Sequence, residues 1–209
     1  MWVSPAFEHR WIKNFTFYVQ RLNRLMRTQQ NYQNTAAYAE AQTDYLNKFS
    51  SHCDYAITLQ TTLHTYGTTQ STMEQRLYQV QASLRTLRNK LNRLLTGNGY
   101  KRNEKYLPIF IAAIEGTTNN HSLNRTLHIH IALGNTGHEA TEQTRSLLED
   151  GIRQIWQATQ VGTNDVRVDR LAKGTETRWM SYIGKEASKG NTGVIDYSNT
   201  QIPNNLLKT

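Results

Sequence analysis

Cysteine is nearly missing from this 209-residue chain: Cys53 is the only one, which excludes an internal disulfide and a cysteine-based zinc site. Long hydrophobic runs are missing too. None approaches the roughly 18 to 20 residues that span a bilayer, so no membrane partner is expected. The first residues, MWVSPAFEHRW, lack the basic-then-apolar pattern of a secretion signal, and a cytoplasmic location is the expectation. No G-x-x-x-x-G-K-[ST] occurs, which argues against a fused helicase. Negative charge is scarce as well, with 16 Asp/Glu against 24 Lys/Arg and a net charge of +8.

What is present divides the chain. Residues 1–105 hold 14 Lys/Arg against 6 Asp/Glu, whereas residues 106–209 hold 10 of each, so the whole surplus lies in the first half. A polyanion partner, most simply nucleic acid, accounts for that asymmetry; a solubilising helical face accounts for it equally well.

Apolar residues of the first half recur at helical spacing. Phe7, Trp11, Phe15, Tyr18, Leu22 and Leu25 mark one helix, and a second stripe runs through Tyr38, Tyr45, Phe49, Leu59, Leu63 and Tyr66. Ser71 with Glu74 forms a capping box for a third helix. Its seam is Leu77, Val80, Leu84, Leu87, Leu91 and Leu94, and Gly97 is its stop. Residues 1–100 therefore read as a basic helical bundle, with a dimerising coiled coil as the alternative. Arg85, Arg88, Lys90, Arg93, Lys101, Arg102 and Lys105 crowd together, opposed only by Glu104. This stretch is the expected phosphate-backbone contact, and a solvated helix face competes with that reading.

Beyond "GNGYKRNEK" the period changes. "YLPIFIAAIEG" (106–116) and "TLHIHIALG" (126–134) are strand-like runs joined by the polar loop "TTNNHSLNR". "HEATEQTRSLLEDGIRQIWQ" is an amphipathic helix with Leu147, Leu148, Ile152, Ile155 and Trp156 toward a core. "DVRVDRL" reads as a strand, "TETRWMSYIGKEASK" as a helix, and "GVIDY" as a last strand. The predicted fold class is α+β: a helical bundle, then an antiparallel-sheet domain with flanking helices over residues 105–209.

His128 and His130 lie two apart in a strand, so both project from one face. Two imidazoles on one face are half of a metal site. The hairpin brings Glu115, at the end of the preceding strand, beside them, and His121 in the loop is a substitute third ligand. Two imidazoles and a carboxylate leave coordination positions open, as a catalytic ion requires. With no sulfur in the set, Mg²⁺ or Mn²⁺ is expected. Tyr182 and Lys185 share a helical face that Lys189 continues, and Trp179 reads as that helix's core anchor.

Together these residues resemble a known superfamily. "HIHIALG" is similar to the His-hydrophobe-His motif of HUH endonucleases, and "YIGK" to the Tyr-x-x-Lys motif of rolling-circle replication initiators. Histidines first and tyrosine about fifty residues later is the order of the Rep branch; conjugative relaxases reverse it. The flanks "TRWMSYIGKEASKG" and "VIDYSNTQIP" also resemble replication proteins of phages, satellites and small plasmids. "FIAAIEG" occupies, approximately, the place of the family's first strand motif. The resemblance spans residues 105 to about 200.

It implies a divalent ion held by Glu115, His128 and His130 that polarises a scissile DNA phosphate. It further implies in-line attack by Tyr182, with the ion or Lys185 favouring the phenolate. A 5′-phosphotyrosine and a free 3′-OH would result. One tyrosine is evident; Tyr197 is second in line. The implied substrate is single-stranded or locally melted DNA, with helicase and polymerase supplied by the host. Arg85, Arg88, Arg93, Lys101, Arg102 and Lys189 are the expected DNA contacts. The alternatives are a nickase acting on foreign DNA, a single-tyrosine transposase, and a non-catalytic helical DNA-binding protein with structural histidines.

Overall fold

The computed structural model describes residues 31–99, 103–117 and 125–207. The helix expected through Phe7–Leu25, the basic pair Lys101 and Arg102, and His121 lie outside the described residues. Eight principal elements follow in chain order: α1 (Asn31–Asn47), β1 (Cys53–His64), α2 (Gln70–Thr96), β2 (Ile109–Glu115), β3 (Thr126–Gly134), α3 (Glu142–Gln157), β4 (Gly162–Arg170) and α4 (Glu176–Ile183). The four strands form one antiparallel sheet in the order β2-β3-β1-β4. The class is α+β, as the change of period predicts.

The first half is not purely helical. Leu59 and Leu63, assigned above to a helical stripe, belong to β1, a strand interior to the sheet. A spacing of four satisfies both periods, because four is close to one helical turn and also twice the strand repeat. What decides is the i, i+2 run Tyr55, Ile57, Leu59, all buried on one face. Tyr66 lies past the strand and is half exposed.

Helices cover both faces of the sheet. Val80, Leu84, Leu87 and Leu91 of α2 and Leu148, Ile152 and Trp156 of α3 pack on Tyr55, Ile57, Leu59, Ile129, Ile131, Val166 and Val168. On the opposite face, Leu46 of α1 and Met180 and Ile183 of α4 pack on Ile109, Ile111, Ala113 and Ala132. β2 is buried along its whole length, which explains its unbroken apolar run, while β4 alternates because only one of its faces is covered. A boundary near residue 100 therefore does not divide the packing: β1 and α2 share one core with β2, β3 and β4.

Local signals explain the ends of α2. Thr69, not Ser71, caps it, its hydroxyl accepting from the Thr72 N–H. Gly97 stops it at φ +58, a conformation that disfavours side chains, with its N–H donating to the Arg93 carbonyl. Two expected core residues differ: Leu94 and Leu147 are exposed. "GVIDY" makes no full strand. Ile195 bridges Ala113 and Gln201 bridges Phe110, so the tail runs along β2 and covers that edge of the sheet.

Candidate metal centre and its tyrosine

Antiparallel pairing builds the site. β2 and β3 set Glu115 opposite His128 and Ala113 opposite His130, so alternation delivers the carboxylate and both imidazoles to one face. That face is the one α4 covers. The ligand atoms of Glu115, His128 and His130 all lie within 4.8 Å of one another. Glu115 Oε2 is 3.2 Å from His128 Nε2 and 3.5 Å from His130 Nε2. Glu115 and His130 are buried and His128 is half-buried.

Gly116 ends β2 directly behind the carboxylate. Its φ is +94, and a Cβ there would come within 2.8 Å of the Thr126 carbonyl oxygen, so only glycine allows this approach of β2 to β3. The buried Glu186 accepts the Gly116 N–H at 3.4 Å and the Asn191 Nδ2–H at 3.0 Å, which ties the turn after α4 to the end of β2.

The far nitrogens of the two histidines are also engaged. His128 Nδ1 lies 3.4 Å from the Thr126 carbonyl. His130 Nδ1 lies 3.1 Å from the Thr58 hydroxyl on β1. Outer contacts of this kind orient ligand imidazoles. Among the described residues, Glu115 Oε1 and His130 Nε2 are buried without a hydrogen-bond partner, while Glu115 Oε2 faces both imidazoles. A buried O, N, N set with donors left open fits a divalent cation.

Helix α4 brings the tyrosine. Trp179, Tyr182 and Lys185 succeed one another at intervals of three. The Tyr182 ring stacks on Trp179 at 5.2 Å and 17° and meets the His130 ring edgewise at 5.0 Å. Lys185 Nζ stands 3.4 Å from the centre of the Tyr182 ring and 2.7 Å from Glu115 Oε2. Burial alone would raise the Glu115 carboxyl; the neighbouring His128, His130 and Lys185 side chains outweigh it and hold the group below the usual carboxylate range. Tyr182 is 43% exposed. Tyr197 is the opposite case. It is packed against the α1 side with Gln42 Nε2 donating to its hydroxyl, and burial pushes its phenol up, away from ionisation.

The structure thus gathers five of the expected residues, Glu115, His128, His130, Tyr182 and Lys185. Among the described DNA-contact candidates, those of α2 are not gathered with them. Arg85 and Arg93 are exposed on α2, whose apolar seam packs on the other face of the sheet. Arg88 is half-buried and donates to the Ser198 and Asn199 carbonyls at 3.4 and 3.3 Å. Lys189 is exposed in the turn after α4. Thr58 went unnoticed in the sequence, because its place beside His130 depends on β1 pairing with β3. Trp179 does pack on the core of this face, but it also forms the surface under Tyr182.

No family model matches this chain, and neither the curated proteins nor the solved structures contain a match to it.

Proposed function

We propose that the chain is an HUH-type, metal-dependent DNA nicking endonuclease of the single-tyrosine Rep kind. One observation carries the reading: Tyr182 and Lys185, about fifty residues beyond the histidines, converge on the Glu115, His128 and His130 cluster. Nothing in a chance His-x-His pair requires a tyrosine and a lysine to fold onto it.

Glu115, His128 and His130 would hold the ion, Mg²⁺ or Mn²⁺, which when bound supplies Lewis-acid polarisation of a phosphate oxygen. The chain's own groups do the rest. Tyr182 Oη attacks phosphorus in line; its O–P bond forms as the P–O3′ bond breaks. The phenolic proton is lost to solvent and the 3′ oxygen leaves protonated. A phenol of pKa about 10 needs help at neutral pH, which on this reading comes from the bound ion or from Lys185, whose ammonium stands 3.4 Å from the ring centre. Trp179 fixes the ring plane. The ester retains the energy of the broken bond, so religation needs no nucleotide.

The same chemistry serves initiation of rolling-circle replication with a host helicase and polymerase, nicking of a foreign genome, or single-strand transposition. Among the described residues no helix is long and apolar enough to cross a membrane. The test is a labelled single-stranded DNA library incubated with protein and Mn²⁺. Expected are nicked products and a covalent adduct, both abolished by EDTA and by the His128→Ala/His130→Ala double variant. Cleavage indifferent to EDTA contradicts the reading. Binding without cleavage in every condition favours a non-catalytic DNA-binding protein.

A further inference from the structure

Lys185 makes two contacts with one ammonium, to the Glu115 carboxylate and to the Tyr182 ring. The oxygen it holds, Oε2, is also the one that faces both His128 and His130. We propose that Lys185 is a resident cation that a metal ion displaces, so that loading the site detaches the ammonium from Glu115 and from the Tyr182 ring in one step. The proposal rests on the reading of Glu115, His128 and His130 as metal ligands.

An ion shared with both imidazoles meets the carboxylate at Oε2, the oxygen that faces them and that the ammonium already holds. A dication coordinated by Oε2 sits about 2.1 Å from it, and Nζ is 2.7 Å from the same atom. The two cations would then be separated by no more than about 5 Å, inside a group to which, among the described residues, Glu115 brings a single carboxylate. The ammonium has somewhere to go. Lys185 is 31% exposed, on a flexible four-carbon stem, and the water it turns toward hydrates it well. A dication has no such freedom, because its three ligands are fixed on two strands. The lysine therefore yields.

Two consequences follow for the proposed reaction. Without metal, the buried Glu115 keeps a charge partner and the Tyr182 ring is held between Trp179 and the ammonium, parked beside the histidines. With metal, the freed ammonium is available to the oxygen of Tyr182 or to a non-bridging phosphate oxygen, where charge develops. Metal loading and readiness of the nucleophile become one event.

The test measures Mn²⁺ binding by the loss of the free-ion resonance signal for the wild type, Lys185→Met, Lys185→Gln and Lys185→Arg. A resident competitor predicts binding roughly tenfold tighter in the Met and Gln variants, because the rival charge is gone, and near-wild-type binding in the Arg variant, which restores it. A lysine that merely holds Glu115 in place predicts the reverse order. A second measurement uses the unaltered protein: acetylation of lysines read by mass spectrometry with and without Mg²⁺. Lys185 should become several-fold more reactive with the ion, while the exposed Lys189 stays constant. Equal or weaker Mn²⁺ binding in the uncharged variants, or unchanged Lys185 labelling, overturns the exchange. No Mn²⁺ binding by any form overturns the metal reading itself, and the exchange with it.

Discussion

Thr58 shows what a single hydroxyl contributes at this site. His130 has one nitrogen facing Glu115 and the other 3.1 Å from Thr58 Oγ1. Among the described residues no other hydrogen bond orients that buried ring; it also meets the rings of His128, Trp179 and Tyr182. Replacing Thr58 by Val keeps the shape and β-branching and removes only the bond. The expected result is a loss of about 10- to 100-fold in metal affinity, with Thr58→Ser close to wild type, both read by Mn²⁺ titration. At this scale much of the site was legible. His128 and His130 declare a shared face by strand alternation, and Glu115 by its hairpin. Thr58 was not legible, since no local pattern says which strand will lie on the far side of the histidines.

Element by element, the sequence speaks clearly where only one period fits. The seam from Val80 to Leu91 alternates three and four, and α2 buries it. "FIAAIE" and "HIHIALG" have no helical reading, and both are strands. β1 was misread because Leu59 and Leu63 fit either period. The same element corrects the picture of the basic helix. Arg88 spends its donors on the Ser198 and Asn199 carbonyls, joining α2 to the tail that covers β2, whereas Arg85 and Arg93 point to solvent. Arg88→Ala should lower stability by about 1 kcal/mol, measured by denaturant unfolding, and leave DNA affinity unchanged. The Arg85→Gln/Arg93→Gln double variant should leave stability unchanged and weaken DNA binding. Its log–log salt slope should fall by roughly one unit per lost phosphate contact. An unchanged slope would make that face of α2 a solvated surface.

On the scale of the whole molecule, the sheet separates the candidate metal centre from the basic helix. Glu115, His128 and His130 lie on the face that α4 covers, with Tyr182 on α4 and Lys185 just beyond it; α2 packs on the other face. On the proposed reading, DNA held by α2 passes around a sheet edge to reach Tyr182, so the variants above separate binding from chemistry. The buried carboxylate also links folding to pH. Glu115 is depressed in the folded protein, so its contribution is present above the unfolded value of about 4.3 and is lost as pH falls through and below it. Thermal midpoints of the metal-free protein should drop on acidification through that range. Glu115→Gln should be less stable at neutral pH and show a shallower decline. Identical pH profiles for the two proteins would remove Glu115 from the accounting of acid stability.

The central claim is that the phenolic oxygen of Tyr182 becomes bonded to DNA under the control of the neighbouring metal cluster. Its most direct test is to react the protein with single-stranded DNA and Mn²⁺, digest both polymers, and locate the nucleotide-bearing peptide by mass spectrometry. Expected is a 5′-phosphonucleotide on Tyr182, absent with EDTA and absent in Tyr182→Phe, which loses only the attacking oxygen. An adduct on Tyr197 or any other residue, or an adduct that persists in Tyr182→Phe, would contradict it.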